Sequence, residues 1–184
     1  MAKEKIILGI DPGTTLMGYG VLQVTNGNPH MVTLGVISLK SMADHFTKLQ
    51  YVFTRVTGLV KEYLPDELAI EAPFYGKNVQ SMLKLGRAQG VAIAAALAYN
   101  IPVFEYAPRK IKMAITGQGS ASKEQVAAIL KNILKLKEIP DNLDATDGLA
   151  AALCHHYQAG LPNIEKGYRS WKDFINKNPG KLNK

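Results

Sequence analysis

The sequence predicts an α/β fold around a mixed five-stranded sheet, with three antiparallel strands followed by parallel ones and helices flanking them. Three observations predict this class. Residues 6–10 are an unbroken apolar run, which is typical of a central strand buried on both faces. Two further strand-like segments follow it after short turns. From residue 49 the apolar residues change to helical spacing, and helices then alternate with short strands.

The first three strands are predicted to form an antiparallel meander. The central strand ends at Asp11, where Pro12-Gly13 turns the chain. Residues 17–25 are rich in strand-forming residues, residues 26–29 (Asn-Gly-Asn-Pro) are a turn signal, and residues 31–39 are the third strand. Short connections of this kind join neighbouring antiparallel strands.

A helix then leads to a fourth strand. Apolar residues at helical spacing predict a helix over 49–64, which Pro65 ends. Residues 67–71 follow as a short strand with Glu71 at its end. A crossover helix makes this strand parallel to the first, and parallel neighbours have their carboxyl ends at the same edge of the sheet. We therefore expect Asp11 and Glu71 to lie side by side.

The second half of the chain contains four helices and one further strand. The helices are predicted over 79–99, 107–116, 122–136 and 144–157, and the fifth strand over 101–106. Gly86 and Gly90, among many alanines in the first of these helices, would allow close approach of the sheet or of another subunit. Ser122 and Gln125 form a capping box at the start of the third.

Length and composition predict one domain over residues 1–160 and a basic, flexible C-terminal tail over 161–184. The single cysteine, Cys154, excludes an internal disulfide and is typical of a reducing, cytoplasmic setting. No apolar run is long enough to cross a bilayer, so no membrane association is expected. The net charge of +7 favours a polyanionic partner, although four of the seven excess charges lie beyond residue 164.

A second pair of carboxylates, Asp144 and Asp147, lies three residues apart at the start of the last helix. At that spacing the two side chains share a helix face. Acids in the first turn of a helix also interact favourably with the helix dipole. For this pair alone, a structural and a functional interpretation are about equally open.

Taken together, the four carboxylates predict a divalent-metal site. Acids that converge from two strand ends and a helix repel one another unless cations neutralise them. Oxygen ligands in partial coordination suit Mg²⁺, with a substrate phosphate completing the shell. Two such ions about 3.5–4 Å apart can hold both the attacking and the leaving oxygen of a phosphodiester. The pattern is therefore typical of a metal-dependent nuclease.

Seven motifs of the chain closely resemble those of the RuvC family of Holliday-junction resolvases. The resemblance runs from residue 6 to residue 157, in order and at fitting spacings. The motifs are Gly9-Ile10-Asp11-Pro12-Gly13, Ala69-Ile70-Glu71, Lys77-Asn78, Leu83-Lys84-Leu85-Gly86-Arg87-Ala88, Val103-Phe104-Glu105-Tyr106, Gly117-Gln118-Gly119-Ser120-Ala121 and Asp144-Ala145-Thr146-Asp147.

This resemblance implies a ribonuclease-H-like fold. It implies a homodimer that makes paired, Mg²⁺-dependent nicks in four-way DNA junctions during recombination and repair. It also implies branch-migration partners of the RuvA and RuvB type. The catalytic residues that the resemblance implies are Asp11, Glu71, Asp144 and Asp147. The same four residues would be the ligands of two Mg²⁺ ions, for which Mn²⁺ can substitute.

The resemblance implies DNA contacts as well. An aromatic residue in the loop after the glutamate, here Phe74, would wedge against junction bases, and Lys112 and Lys123 correspond to basic contacts of the family. Many relatives have Gln-Val where this chain has Ala72-Pro73, which leaves the loop geometry and the cleavage preference open. Aromatic residues near basic ones suit base stacking and phosphate binding. The further predicted DNA contacts are Tyr75, Lys77, Lys84 and Arg109.

Two histidines of the last helix, His155 and His156, resemble metal ligands. His155 lies about 12 Å along the helix from Asp147, which is too far to share its ion. We therefore expect His155 and His156 at the surface or at a dimer interface. Cys154 is expected to be buried packing.

Three other functions share single features with this sequence. Residues 11–15 (Asp-Pro-Gly-Thr-Thr) resemble the phosphate loop of the actin, sugar-kinase and chaperone ATPase group, but those proteins need a second such loop and this chain has one. A non-catalytic nucleic-acid-binding module would have to tolerate four acids that repel DNA. A ribonuclease-H-like nuclease could also act on another substrate, such as an RNA–DNA hybrid.

Overall fold

The strands and helices follow the predicted order in the computed structural model, which describes residues 4–73, 78–140 and 142–159. The predicted tail over 161–184 lies outside these residues. None of the helices in the described ranges has the length and apolar character needed to span a membrane. The elements are β1 (Glu4–Asp11), β2 (Leu16–Thr25), β3 (Asn28–Ser38), α1 (His45–Tyr63), β4 (Glu67–Glu71), α2 (Val79–Leu97), β5 (Val103–Tyr106), α3 (Pro108–Thr116), α4 (Lys123–Leu134) and α5 (Asp144–Ala159).

The strands form one mixed sheet in the order β3-β2-β1-β4-β5. β1 pairs antiparallel with β2, and β2 with β3, whereas β4 is parallel to both β1 and β5. The predicted mixed sheet is thereby confirmed. Ile10 is opposite Ile70 in the parallel pair, so Asp11 and Glu71 occupy the next positions at the same edge of the sheet.

Helices cover both faces of the sheet, and the side chains of β1 alternate between the two cores. Ile7 packs with α3, α4 and α5 on one face, whereas Leu8 and Ile10 pack with α1 and α2 on the other. All three side chains are fully buried. The apolar run at residues 6–10 therefore reflects a strand that water reaches on neither face.

Helix α5 lies directly on the backbone of β1 and β2. A Cβ placed on Gly9 would be 2.0 Å from the carbonyl oxygen of Gly148, and one on Gly18 would be 1.8 Å from that of Asp144. A Cβ on Gly148 would in turn be 2.5 Å from the Cα of Tyr19. These distances leave no room for a side chain, so the glycines determine how closely the helix approaches the sheet.

Helix α1 begins earlier than its apolar pattern predicts. Its first residue is His45 rather than residue 49, because the Asp44 side chain caps the helix by accepting a hydrogen bond of 2.7 Å from the backbone N–H of Thr47. The predicted start was wrong because the first turn is largely exposed and carries no apolar periodicity. The cap, rather than the buried stripe, determines where the helix starts.

The prediction that His155 lies at the surface was wrong, because α5 is covered by the sheet, α3 and α4 almost to its end. The His155 ring is buried, and its Nδ1 is 2.6 Å from the Tyr106 hydroxyl. Its Nε2 contacts the carboxylate of Glu67, which also pairs with Lys5. Cys154 is buried, as predicted.

The close approach of α5 can be tested with Gly148→Ala. We expect this substitution to lower the free energy of unfolding by about 1–3 kcal/mol, because the new methyl group meets the β2 backbone and α5 must move. Gly58→Ala on α1 is the matched control: nothing lies within 4 Å of its Cβ position, and the same change there should raise stability by about 0.5–1 kcal/mol. Urea denaturation followed by circular dichroism measures both. Equal effects would contradict the packing described.

Candidate active site

Three of the four predicted carboxylates line one cavity at the carboxyl edge of the sheet. Asp11 stands at the end of β1, Glu71 at the end of β4, and Asp147 in the first turn of α5. The volume of the cavity is about 520 Å³. The other described residues that line it are Pro12, Ala72, Pro73, Leu85, Pro108, Lys112 and Lys123.

The fourth carboxylate, Asp144, is linked to this cavity through Lys123. The Lys123 Nζ donates a hydrogen bond of 2.6 Å to Asp144 Oδ1. It also forms an ion pair with Asp147 Oδ2, at a distance of 2.5 Å. Lys123 is the first residue of α4, whose start is fixed by the capping box of Ser122 and Gln125. The cap therefore determines where this ammonium group meets the two aspartates.

Burial and mutual repulsion raise the pKa values of the cavity acids. Burial, followed by the charge of Asp147, raises the pKa of Asp11 to about 7. Burial, followed by the charge of Asp11, raises the pKa of Glu71 to about 8. The pKa of Asp147 is also raised by burial, although Lys123 opposes that change. The cavity is therefore a site where negative charge is costly unless a cation is nearby.

A polar residue on α2 that the sequence analysis did not single out supports Glu71. The side-chain amide of Gln89 is buried and donates to the carbonyl oxygen of Glu71 at 3.1 Å and to Glu105 Oε1 at 2.8 Å. It therefore joins the ends of β4 and β5 behind the cavity. The signal was available: Gln89 is a polar residue on the otherwise small and apolar buried face of α2, beside Ala88 and Ala92.

The donor atoms of this site suit a hard divalent cation. All four acids offer oxygen ligands, and the buried Asp147 Oδ2 contacts the Lys123 ammonium group. Within the described ranges, however, no three His, Cys, Asp or Glu side chains are arranged together as a metal site. Instead, Lys123 holds the Asp144 and Asp147 carboxylates at its own ammonium group. The carboxylate oxygens are suitable ligands for a cation, but in this structure the Asp144 and Asp147 side chains are arranged around the ammonium group of Lys123.

The predicted DNA contacts fall in several places. Lys112 and Lys123 line the acidic cavity, and Lys84 lines a second, smaller cavity. Arg109, on α3, has its side chain packed against Gly119, where an added Cβ would be 2.5 Å from Arg109 Cγ. The other predicted contacts, Phe74, Tyr75 and Lys77, lie outside the described residues.

Comparisons with known proteins converge on one family. The family described as crossover junction endodeoxyribonuclease RuvC matches residues 7–155. The protein of that name from Bacteroides fragilis is 63% identical over 182 residues, which cover 98% of this chain and 97% of that protein. The one from Porphyromonas gingivalis is 57% identical over 185 residues, which cover 98% of each chain.

A solved structure shows the same similarity in three dimensions. The chain is similar to Thermus thermophilus RuvC in complex with a Holliday junction substrate, with a TM-score of 0.77 and 31% sequence identity. The match covers 84% of this chain and 94% of that chain. The ribonuclease-H-like fold expected from the sequence motifs is thereby confirmed.

The raised pKa values predict how stability depends on pH in a chelator. The pKa values of folded Asp11 and Glu71 lie above their ordinary values of 3.8 and 4.5, so the folded state keeps protons that the unfolded chain releases. Their contribution to stability is present below about pH 4 and is lost as the pH rises to about 8. Asp11→Asn cannot ionise, and at pH 8 it should be more stable than the natural chain by about 1–3 kcal/mol.

Urea denaturation in EDTA at pH 4, 6 and 8 measures this difference. At pH 4 the two proteins should be nearly equal, because Asp11 is then protonated in the folded state. Glu138→Gln serves as the control, since it removes an exposed carboxylate from another part of the surface. An Asp11→Asn protein that is less stable than the natural chain at pH 8 would contradict the electrostatics described.

Proposed function

The chain belongs to the RuvC family of crossover junction endodeoxyribonucleases, and we propose that it cuts four-way (Holliday) DNA junctions at its acidic cavity. It is a metal-dependent phosphodiester hydrolase of DNA recombination and repair. One observation carries the proposal for the site: Asp11, Glu71 and Asp147 reach a single cavity from three separate elements. Buried acids that repel one another suit cation-assisted hydrolysis far better than passive DNA binding.

The proposed cofactor is Mg²⁺, as two ions for which Mn²⁺ can substitute. Oxygen donors are the ligands that hard divalent cations prefer, and the raised pKa values of Asp11, Glu71 and Asp147 mean that a cation would relieve their repulsion. When bound, such ions supply a water of lowered pKa and Lewis-acid stabilisation of the phosphodiester. The proposed ligands, which are also the proposed catalytic residues, are Asp11, Glu71, Asp144 and Asp147.

The chain's own residues would hold these ligands rigidly. Asp11 and Glu71 are at the ends of paired strands, and the Gln89 amide fixes the backbone at Glu71. Asp144 and Asp147 project from one turn of a helix that rests on the sheet. Ligands on regular elements keep their geometry better than ligands on loops. In this proposal the strands and α5 orient the site.

Basic and aromatic residues near the cavity are proposed to bind the junction. Lys112 lines the cavity wall, where its ammonium group can pair with a DNA phosphate and reduce the repulsion from the acids. Lys123 stands beside the aspartates and can do the same. The remaining proposed contacts, carried by the family resemblance, are Phe74, Tyr75, Lys77, Lys84 and Arg109.

A homodimer is proposed, because a four-way junction is two-fold symmetric and two related sites would face opposite strands. The outer face of α2 supports this interface. Leu83, Gly90 and Leu97 recur every seven residues, and all three are exposed. Such a strip of small and apolar residues suits close helix packing. The proposal also includes a cytoplasmic location, which the single cysteine favours, and branch-migration partners of the RuvA and RuvB type, which rest on the resemblance alone.

The nuclease proposal is tested with Asp11→Asn. We expect this variant to bind a synthetic mobile four-way junction but to cut it at least about 10³-fold more slowly, because one metal-ligating charge is lost while the basic residues stay in place. Gel analysis of labelled junctions with Mg²⁺, Mn²⁺ or EDTA measures cutting, and calorimetric titration measures Mg²⁺ binding. The natural chain should produce paired nicks only with a divalent cation.

Substrate arms and a matched variant complete this test. A plain duplex and an RNA–DNA hybrid of the same sequence should be cut far less than the junction. Asp66→Asn, just before β4, is a control for the loss of one carboxylate, because an amide oxygen can still accept the hydrogen bond from the backbone N–H of Ile6. Normal cutting by Asp11→Asn would reject the metal assignment, and preferred cutting of the hybrid would reject the junction as substrate.

The dimer interface is tested with Gly90→Arg. This substitution places a long charged side chain in the middle of the proposed α2 interface, so the protein should sediment as a monomer. Gly58→Arg on α1 is the matched control, because its Cβ position is equally open and lies on another helix. Sedimentation velocity at several concentrations measures both variants. A dimeric Gly90→Arg protein would place the interface elsewhere.

A further inference from the structure

A second cavity lies beside the acidic one and has the opposite character. Its volume is about 160 Å³. It shares two stretches of chain with the acidic cavity: Asp11 and Leu85 line the first, while Thr14 and Lys84 line the second. The described residues that line the second cavity are Thr14, Thr15, Ala43, His45, Lys48 and Lys84.

The donors of this cavity suit a single anion. Lys48 and Lys84 bring two ammonium groups, and the threonines bring two hydroxyls. Lys48 Nζ donates to the carbonyl oxygen of Thr14 at 3.2 Å, which uses one of its three N–H groups and holds the side chain against the turn after β1. The ammonium group is thus positioned and still has donors to offer.

One group in the cavity has an unmet hydrogen bond. His45 Nε2 is buried and makes no hydrogen bond to any described residue. Buried polar atoms of this kind are uncommon in proteins and indicate a missing partner. An anion in the cavity could accept a hydrogen bond from this nitrogen.

The acid nearest to this cavity in the sequence is engaged in a helix cap. Asp44 precedes His45 in the chain, but its Oδ2 accepts hydrogen bonds from the backbone N–H and the hydroxyl of Thr47, as the cap of α1. No described acidic residue lines the cavity itself. The cavity therefore has positive charge and hydrogen-bond donors without a carboxylate of its own.

We propose that this cavity binds a backbone phosphate of the DNA strand that is cut, a few nucleotides from the scissile phosphate. The inference rests on the proposed nuclease function. Thr14 is three residues from Asp11, so their Cα atoms are at most about 11 Å apart. Phosphates of one strand advance by about 3.4 Å per nucleotide along a duplex axis. A strand whose phosphate lies among the acids therefore carries a neighbouring phosphate within reach of this cavity.

Such a contact would position the strand rather than identify its sequence. Lysine, histidine and hydroxyl donors recognise phosphate oxygens, which are the same at every nucleotide. The cavity would fix how far the strand extends past the acids and so determine which phosphodiester bond faces them.

The experiment compares two doubly substituted full-length proteins that lose the same charge. Lys48→Gln with Lys84→Gln removes both ammonium groups of the cavity. Lys61→Gln with Lys137→Gln is the control, since Lys61 is about 20 Å further along α1 and both lysines are exposed. Fluorescence anisotropy in EDTA measures binding to a synthetic junction at several salt concentrations. Thermal melts of both proteins establish that they are folded.

The cavity variant should bind the junction about tenfold or more weakly than the control, as lost charged hydrogen bonds imply. Its slope of log affinity against log salt should be smaller by about 0.9, the value for one phosphate contact. A set of junctions with one neutral methylphosphonate each then locates that phosphate. One position near the cut should weaken the natural chain and leave the cavity variant unaffected.

Two results would overturn the inference while leaving the nuclease function intact. One is a cavity variant with the same affinity and salt slope as the control, in a protein whose natural form binds and cuts junctions. The other is a set of methylphosphonates that weaken the natural chain and the cavity variant equally at every position. A natural chain that does not bind junctions at all would overturn both the inference and the proposed function.

Discussion

The contact between α5 and the backbone of β1 and β2 is the constraint on which the acidic cavity depends. A helix normally rests on a sheet through layers of side chains, but here Gly9, Gly18 and Gly148 remove those layers. The first turn of α5 therefore lies next to the carboxyl end of β1, and Asp147 reaches the cavity that Asp11 lines. A side chain at any of the three glycines would separate the aspartates on α5 from the acids on the strands.

This closeness has an electrostatic cost. Burial first, and then repulsion between neighbouring carboxylates, raises the pKa values of Asp11 and Glu71 to about 7 and 8, so that the folded chain resists ionising them. Lys123 offsets part of the repulsion by contacting Asp144 and Asp147. An arrangement that served stability alone would not gather these acids. Stored repulsion of this kind is typical of a functional site, where a ligand supplies the missing charge.

The sequence predicted the features that follow from the order of strands and helices along the chain. Apolar periodicity and the crossover placed Asp11 and Glu71 at neighbouring strand ends, and the structure agrees because parallel strands share an edge. It could not predict partners that meet only after packing. In the sequence, His155 is a polar residue near the end of a helix. In the structure, α5 is buried almost to its end, so His155 packs against Tyr106 and Glu67. Gln89 is visible in the sequence as a polar residue on an otherwise small and apolar face of α2, but its partners come from two other strands and could not be predicted.

In the proposed enzyme, the acidic cavity would cut a DNA strand and the second cavity would hold it, so different residues serve the two tasks. The acids of the first cavity repel phosphate until their charges are neutralised, so part of the affinity for DNA has to come from residues outside that cavity. Lys84 can supply part of this affinity from α2, where it is next to Leu85 of the acidic cavity. Lys48 can do so from α1, where its Nζ donates to the carbonyl oxygen of Thr14 in the turn after β1. Because residues 11–15 contribute to both cavities, a strand held in one is constrained in the other. In the proposed enzyme, the short turn after β1 would thus link where the strand is held to where it is cut.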